Sequence, residues 1–123
     1  MANPNIVGIT SIYGKTAFVE EVPTSASAIV TNAASSGKVI KINSLIIANI
    51  DGTNPADVNV QVRAANGVTV KSYLANTIAV PADATLIVIS KDTSIYLEED
   101  MALMVEASAA SDLSATCSYE EIN

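Results

Sequence analysis

The chain has 123 residues, half of them apolar, with 13 carboxylates against six cations for a net charge of −7, no histidine, no tryptophan and one cysteine. This length suits a single domain and is too short for a catalytic domain plus a second module. The composition excludes an intrachain disulfide, a thiolate metal cage built from one chain and a histidine-activated nucleophile. It also excludes a concentrated phosphate-binding footprint, because Lys15, Lys38, Lys41, Arg63, Lys71 and Lys91 are scattered.

The apolar content is mostly Ala, Val and Ile, and strong helix formers are sparse, so the expected fold class is all-β. In chain order, Ile6 to Tyr13 and Thr16 to Val22 read as a hairpin across Gly14-Lys15, and Ala26 to Thr31 as a further strand. NAASSG, Asn32 to Gly37, is a loop, since the strand pattern resumes at once. Ile40, Ile42, Ser44, Ile46, Ala48 and Ile50 then alternate against Lys41, Asn43 and Asn49. Leu45 and Ile47 break the polar face, which predicts cover on both sides and makes a subunit contact one candidate.

Val58 to Ala64 alternates without a break, and Val68 to Leu74 follows the turn Ala65-Asn66-Gly67, whose Asn-Gly pair is a type I′ hairpin signal. Thr77 to Val80, the breaker Pro81-Ala82-Asp83-Ala84 and the fully apolar Leu86 to Ile89 come next. The last of these reads as a central strand buried on both faces. After the turn Ser90 to Thr93, Ile95 and Leu97 lead into the acidic Glu98-Glu99-Asp100, read as a solvated turn. Met101 to Ala107 and Leu113 to Tyr119 alternate again, with Ala102 and Met104 as further contact candidates. The sum is one antiparallel β-sandwich or jelly roll of about eight to ten short strands, with residues 1–36 supplying N-terminal strands and 37–123 the core of the sandwich.

The carboxylates are the main chemical candidates, since paired acids hydrolyse glycosides or bind Ca²⁺ without histidine. The loop Asp51-Gly52-Thr53-Asn54-Pro55-Ala56-Asp57 offers oxygen donors, above all Asp51, Asn54 and Asp57, as a weak metal candidate. Its spacing does not match the EF-hand loop, and Asp-Gly is an ordinary turn pair, so the expectation is a turn with no metal and no cofactor. A glycosidase cleft usually stacks sugar on aromatic rings, which are few here. Cys117 falls on the apolar face of its strand, and no catalytic residue is assigned. No apolar run approaches the roughly 18 residues that span a bilayer, and the N-terminus lacks a leader pattern, so a soluble chain made in the cytosol is expected, with no membrane partner.

Three segments, KVIKINSLIIANIDGTNPADVNVQV, YLANTIAVPADATLIVISKDTSIYLEEDMALMVEASA and the terminal CSYEEIN, together with the opening MANPNIVGITSIYGKTA, resemble small virion proteins of tailed marine and cyanobacterial phages. The resemblance runs from Lys38 onward and consists of strand-and-turn patterns. It implies a non-enzymatic structural protein of the virion, first of all a head decoration or cement protein. Such a protein sits as a homo-oligomer, typically a trimer, on the major capsid protein. Neck, tail and fibre-associated roles are implied next, and a Ca²⁺-assisted glycan- or host-surface-binding sandwich is the alternative class.

Overall fold

The computed structural model describes residues 3–123, so Met1 and Ala2 of the 1–36 segment lie outside the described residues. Among the described residues, Val-, Ile- and Thr-rich stretches separated by turn residues form nine strands: β1 (Ile12–Val19), β2 (Ser27–Asn32), β3 (Val39–Asn49), β4 (Ala56–Ala64), β5 (Val70–Val80), β6 (Thr85–Ile89), β7 (Ile95–Leu97), β8 (Met101–Ala107) and β9 (Leu113–Ile122). Sheet A has the order β1-β9-β3-β6, with β7 pairing β3 as well, and sheet B the order β2-β8-β4-β5. β7 lies beside Ile40 to Ile42 and β6 beside Leu45 to Ala48, so the two act as one interrupted strand.

All pairs are antiparallel, and they nest: β4 with β5 innermost, then β3 with β6 and β7, then β2 with β8, and β1 with β9 outermost. Two sheets wrapped this way, each four strands wide with β6 and β7 sharing one place, are a jelly roll, one of the expected architectures. Between the sheets lie Val22, Val30, Ile40, Ile42, Leu45, Ile47, Val58, Val60, Leu97, Leu103, Val105 and Leu113, with Ala56, Ala75 and Ala107 filling the narrow places. Small and β-branched side chains fill this interior without an aromatic ring at its centre. Among the described residues no helix is long and apolar enough to cross a membrane.

Several local expectations change. β3 carries a bulge between Ile42 and Ser44 in its ladder with β9. One extra residue shifts the period-2 phase, so Ile40, Ile42, Leu45 and Ile47 all point inward, while Ile46 and Ala48 turn outward. Leu45 and Ile47 are therefore core residues, fully shielded, and not a contact surface. The apolar run Leu86 to Ile89 is an edge strand, not a central one, and its Ile87 is 61% exposed. Gly14 and Lys15 lie within β1, so there is no hairpin there.

Val70 to Val80 is a single strand whose register shifts three times against β4, with Thr77 at φ 54°. At the β4–β5 connection only Gly67 takes positive φ (81°), and the Asn66 side chain instead accepts the Val68 N–H at 2.9 Å. This is not a type I′ pair, which would need both residues there. Glu99 is also not solvated: it is buried, and Oε2 accepts the Gly37 N–H at 3.0 Å.

Candidate functional site

The acid-rich loop between β3 and β4 is organised from below by Asn49, the last residue of β3. Its side chain is 4% exposed. Oδ1 accepts the Asp51 N–H (2.8 Å), while Nδ2 donates to the carbonyls of Asn54 (3.0 Å) and Val80 (2.9 Å). One amide thus closes the loop and ties it to the end of β5. Asp51 adds a second layer: Oδ1 accepts the Thr53 N–H (2.8 Å) and Oδ2 the Asn54 amide (3.2 Å). The hydrogen bond from Thr53 does most to hold the Asp51 carboxyl below its usual range. Asp112, across from it, is pushed up by desolvation and by the charge of Asp51.

Of the three loop candidates, Asp51 and Asn54 meet, and both are spent on the loop itself. Asp57 belongs to β4 and lines a cleft of about 320 Å³ on the outer face of sheet B, with Thr24, Asn59, Thr77, Glu106 and Ser108. Its backbone N–H is bonded to Ser108 Oγ at 2.8 Å. Among the described residues no three His, Cys, Asp or Glu side chains come together in a way that could hold a metal ion. The other acidic turn is a brace: Glu98 accepts the Asn3 amide and the Glu99 N–H donates to Asn3 Oδ1, which ties the N-terminal segment to the turn and leaves an open cleft lined by Asn3, Ile6, Val39 and Tyr96.

Asn32 is the counterpart of Asn49 at the end of β2. It is 1% exposed, and Nδ2 donates to the carbonyls of Lys38 and Leu97, both at 3.0 Å. Both clamps were invisible as such in the sequence, where each is one asparagine at a strand end. At the far end of sheet A, Glu121 receives Lys38 (3.0 Å) and Lys15 (3.3 Å). Lys38 chiefly holds its carboxyl below the ordinary value, so the stabilisation is present at neutral pH and is lost as pH falls through that depressed value.

Cys117 points into the core, fully shielded, and burial pushes its thiol up to about 12. A thiol reagent at pH 8 is expected to leave the native protein unlabelled and to label one thiol per chain in denaturant. Rapid labelling of the folded chain would contradict this placement.

The two outer faces differ. On sheet B, Asn59 pairs with Glu106 (3.1 Å), and Arg63 reaches Gln61 (2.6 Å) and the Gly67 carbonyl (2.8 Å), so polar groups satisfy one another. Ala102 and Met104, candidates for a subunit contact, lie on this face but are already covered. Ala102 stands opposite Arg63, and a side chain at Gly67 would meet Met104 at 3.6 Å. On sheet A, residues opposite one another in register share a face. They make a cross-strand row of Phe18, Thr116, Ile46 and Ile87, with Phe18 73% exposed. The rows beside it hold Thr16, Ser118 and Ser44, and Ser114, Ala48 and Thr85, with no charge.

Fold and surfaces together define a jelly-roll β-sandwich whose sheet A carries an uncharged outer patch around Phe18, Ile46 and Ile87, bounded by a charged row with Glu120 and Lys41. Its likeness is to a solved chain of the Bacillus endospore appendages, described as a novel family of disulfide-linked pili: TM-score 0.52 at 15% identity, over 98% of this chain and 95% of that one. At that identity the likeness shows the fold. No family model and no curated protein matches the chain.

Proposed function

We propose that the protein is a non-enzymatic structural subunit that works by burying its surface against other subunits. Its place is a phage particle, as a decoration or cement protein held on the shell of the major capsid protein. The observation that carries the reading is the outer face of sheet A, where Phe18 and Ile87 stand exposed among uncharged Ser, Thr and Ala. An exposed apolar patch without charge is inexpensive to desolvate, which favours docking onto another protein surface. The phage assignment is supported by the resemblance of the strand-and-turn segments quoted above.

A second reading, a subunit of a filament, neck or tail, is favoured by the pilus-forming fold neighbour. Disulfide linkage does not transfer with it, because the single cysteine, Cys117, is shielded in the core. Co-sedimentation of the purified chain with expanded capsids and, separately, with tails of the same phage tests both. Capsid binding that Phe18→Lys and Ile87→Lys weaken at least about tenfold is the expected result. Binding to tails alone would transfer the protein to the second reading, and binding to neither would overturn the virion role.

A further inference from the structure

The sandwich has four sheet edges, and three of them are blunted. β6 is short and bulged against β3, with β7 only three residues long; β2 is bulged against β8; β5 shifts register three times against β4. β1 is different. It runs eight residues against β9 with no shift, contains no proline, and exposes Ile12 (55%), Tyr13 (56%) and Phe18 (73%). A regular, uninterrupted edge is a template for another strand unless something blocks it.

We propose that β1 is the docking edge for a second copy of this chain, paired antiparallel, β1 to β1, about a two-fold axis through Thr16. This deepens the reading of the protein as an assembling subunit by naming one partner, the chain itself. The hydrogen-bond phase comes from the strand end: Ser11 and Asn123 exchange both backbone bonds (2.8 and 3.0 Å). Bonded and non-bonded pairs alternate along an antiparallel ladder, so Tyr13, Lys15, Ala17 and Val19 bond to β9. The N–H and C=O groups of Ile12, Gly14, Thr16 and Phe18 therefore point away from the sheet, free for a partner.

Continuing the sheet across a two-fold axis must match these residues with one another. Centring on Lys15 sets two ammonium groups directly opposite, which is unfavourable. Centring on Ala17 runs Ile12, Tyr13 and Gly14 past the end of the partner strand, onto Val22, Glu21 and Glu20, whereas centring on Thr16 runs only Ile12 past it, onto Glu20. Centring on Thr16 sets Thr16 against the partner's Thr16, Gly14 against the partner's Phe18 and Lys15 against the partner's Ala17. A Thr pair and an aromatic ring laid over an edge glycine are both favourable cross-strand combinations.

Charge agrees with this. Ile12 to Val19 contains no carboxylate, and its one cation, Lys15, is engaged by Glu121, so two chains of net charge −7 approach along the edge without facing like charges. The product is one sheet running from β6 of one copy to β6 of the other. It is an isologous dimer, where the phage resemblance implies a trimer.

The test uses the full chain. Light scattering across a concentration series is expected to show twice the chain mass. In the same series, amide exchange at Gly14, Thr16 and Phe18 is expected to slow by roughly tenfold or more as the dimer forms. Thr16→Pro removes only an outward donor and leaves the β9 ladder intact, and it is expected to return the protein to monomer. Thr16→Cys is expected to cross-link to itself under mild oxidation, while Val68→Cys, also exposed but on the connection between β4 and β5 of the other sheet, does not. If the proline variant does not fold, the exchange pattern and the cysteine pair decide.

An oligomer whose Gly14, Thr16 and Phe18 amides stay open overturns the pairing and leaves the assembly reading standing. So does a monomer that nonetheless co-sediments with particles, and protection of the edge only on particles assigns it to a virion protein instead. A dimer through this edge that binds no particle does the reverse: the pairing stands and the virion role falls.

Discussion

Leu45→Ala is expected to destabilise the protein by about 2–5 kcal/mol, whereas Ile46→Ala, one residue away, costs about 1 kcal/mol or less. Leu45 is fully shielded between the sheets, opposite Cys117 and Ile89, and truncation leaves a cavity that the small neighbours cannot collapse to fill. Ile46 is half-buried on the outer face, between Thr116 and Ile87. Urea unfolding with an unchanged slope and a lower midpoint for Leu45→Ala alone checks the pair. Equal losses would mean that the bulge between Ile42 and Ser44 does not exist in solution. The assembly phenotype is expected to divide the other way, with Ile46 affecting docking and Leu45 affecting folding.

The second large effect belongs to Asn49. Asn49→Ala leaves the Asp51 N–H and the carbonyls of Asn54 and Val80 without their partner, at a cost of about 2–4 kcal/mol. Asn49→Asp is harsher near neutral pH, because it keeps the acceptor for Asp51 but sets a buried charge against two carbonyl oxygens. Burial and those dipoles raise the pKa of the introduced carboxylate in the folded state. The penalty is then greatest above that raised pKa and is relieved as pH falls through it, opposite in sign to Glu121. Thermal unfolding of both variants between acid and neutral pH separates the two behaviours. If Asn49→Ala unfolds like the parent protein, the loop is not held by this clamp.

β4 and β9 were legible because alternation reports one wet and one dry face, which both follow over their first five residues, whereas β8 alternates in sequence but is covered on both faces from Ala102 to Val105. β3 was legible as a strand but not in its facing. An inserted residue shifts the alternation by one, and along a single sequence this reads the same as apolar groups on both faces. β6 misled for a related reason: Leu86 to Ile89 is apolar throughout, yet order within a sheet depends on long-range pairing that no local pattern encodes. The join of Val70 to Val80 into one strand was hidden because Thr77 takes up the bend at positive φ without a glycine.

Asp51 to Pro55 is a connection between β3 and β4, Ala56 and Asp57 already belong to β4, and the residue that builds the loop, Asn49, precedes the acidic run. Polar clamps are hard to find in sequence because their partners are backbone groups, which every residue carries. The same holds for Asn32 and for the buried Glu99. The outer face of sheet A was hidden differently: its row of Phe18, Thr116, Ile46 and Ile87 comes from four strands spread along the chain, and only the register brings them level.

The nested pairing also leads us to expect an order of events as the chain folds. β4 and β5 meet across a short connection, and each later pair spans a greater separation in sequence, until Ser11 reaches Asn123 across 112 residues. Closure entropy grows only slowly with loop length, but it must be met before the non-local contacts repay it. Such topologies fold in about milliseconds to seconds, not microseconds. β1 is therefore expected to join last, a placement that folding rates insensitive to destabilising substitutions in β1 would bear out.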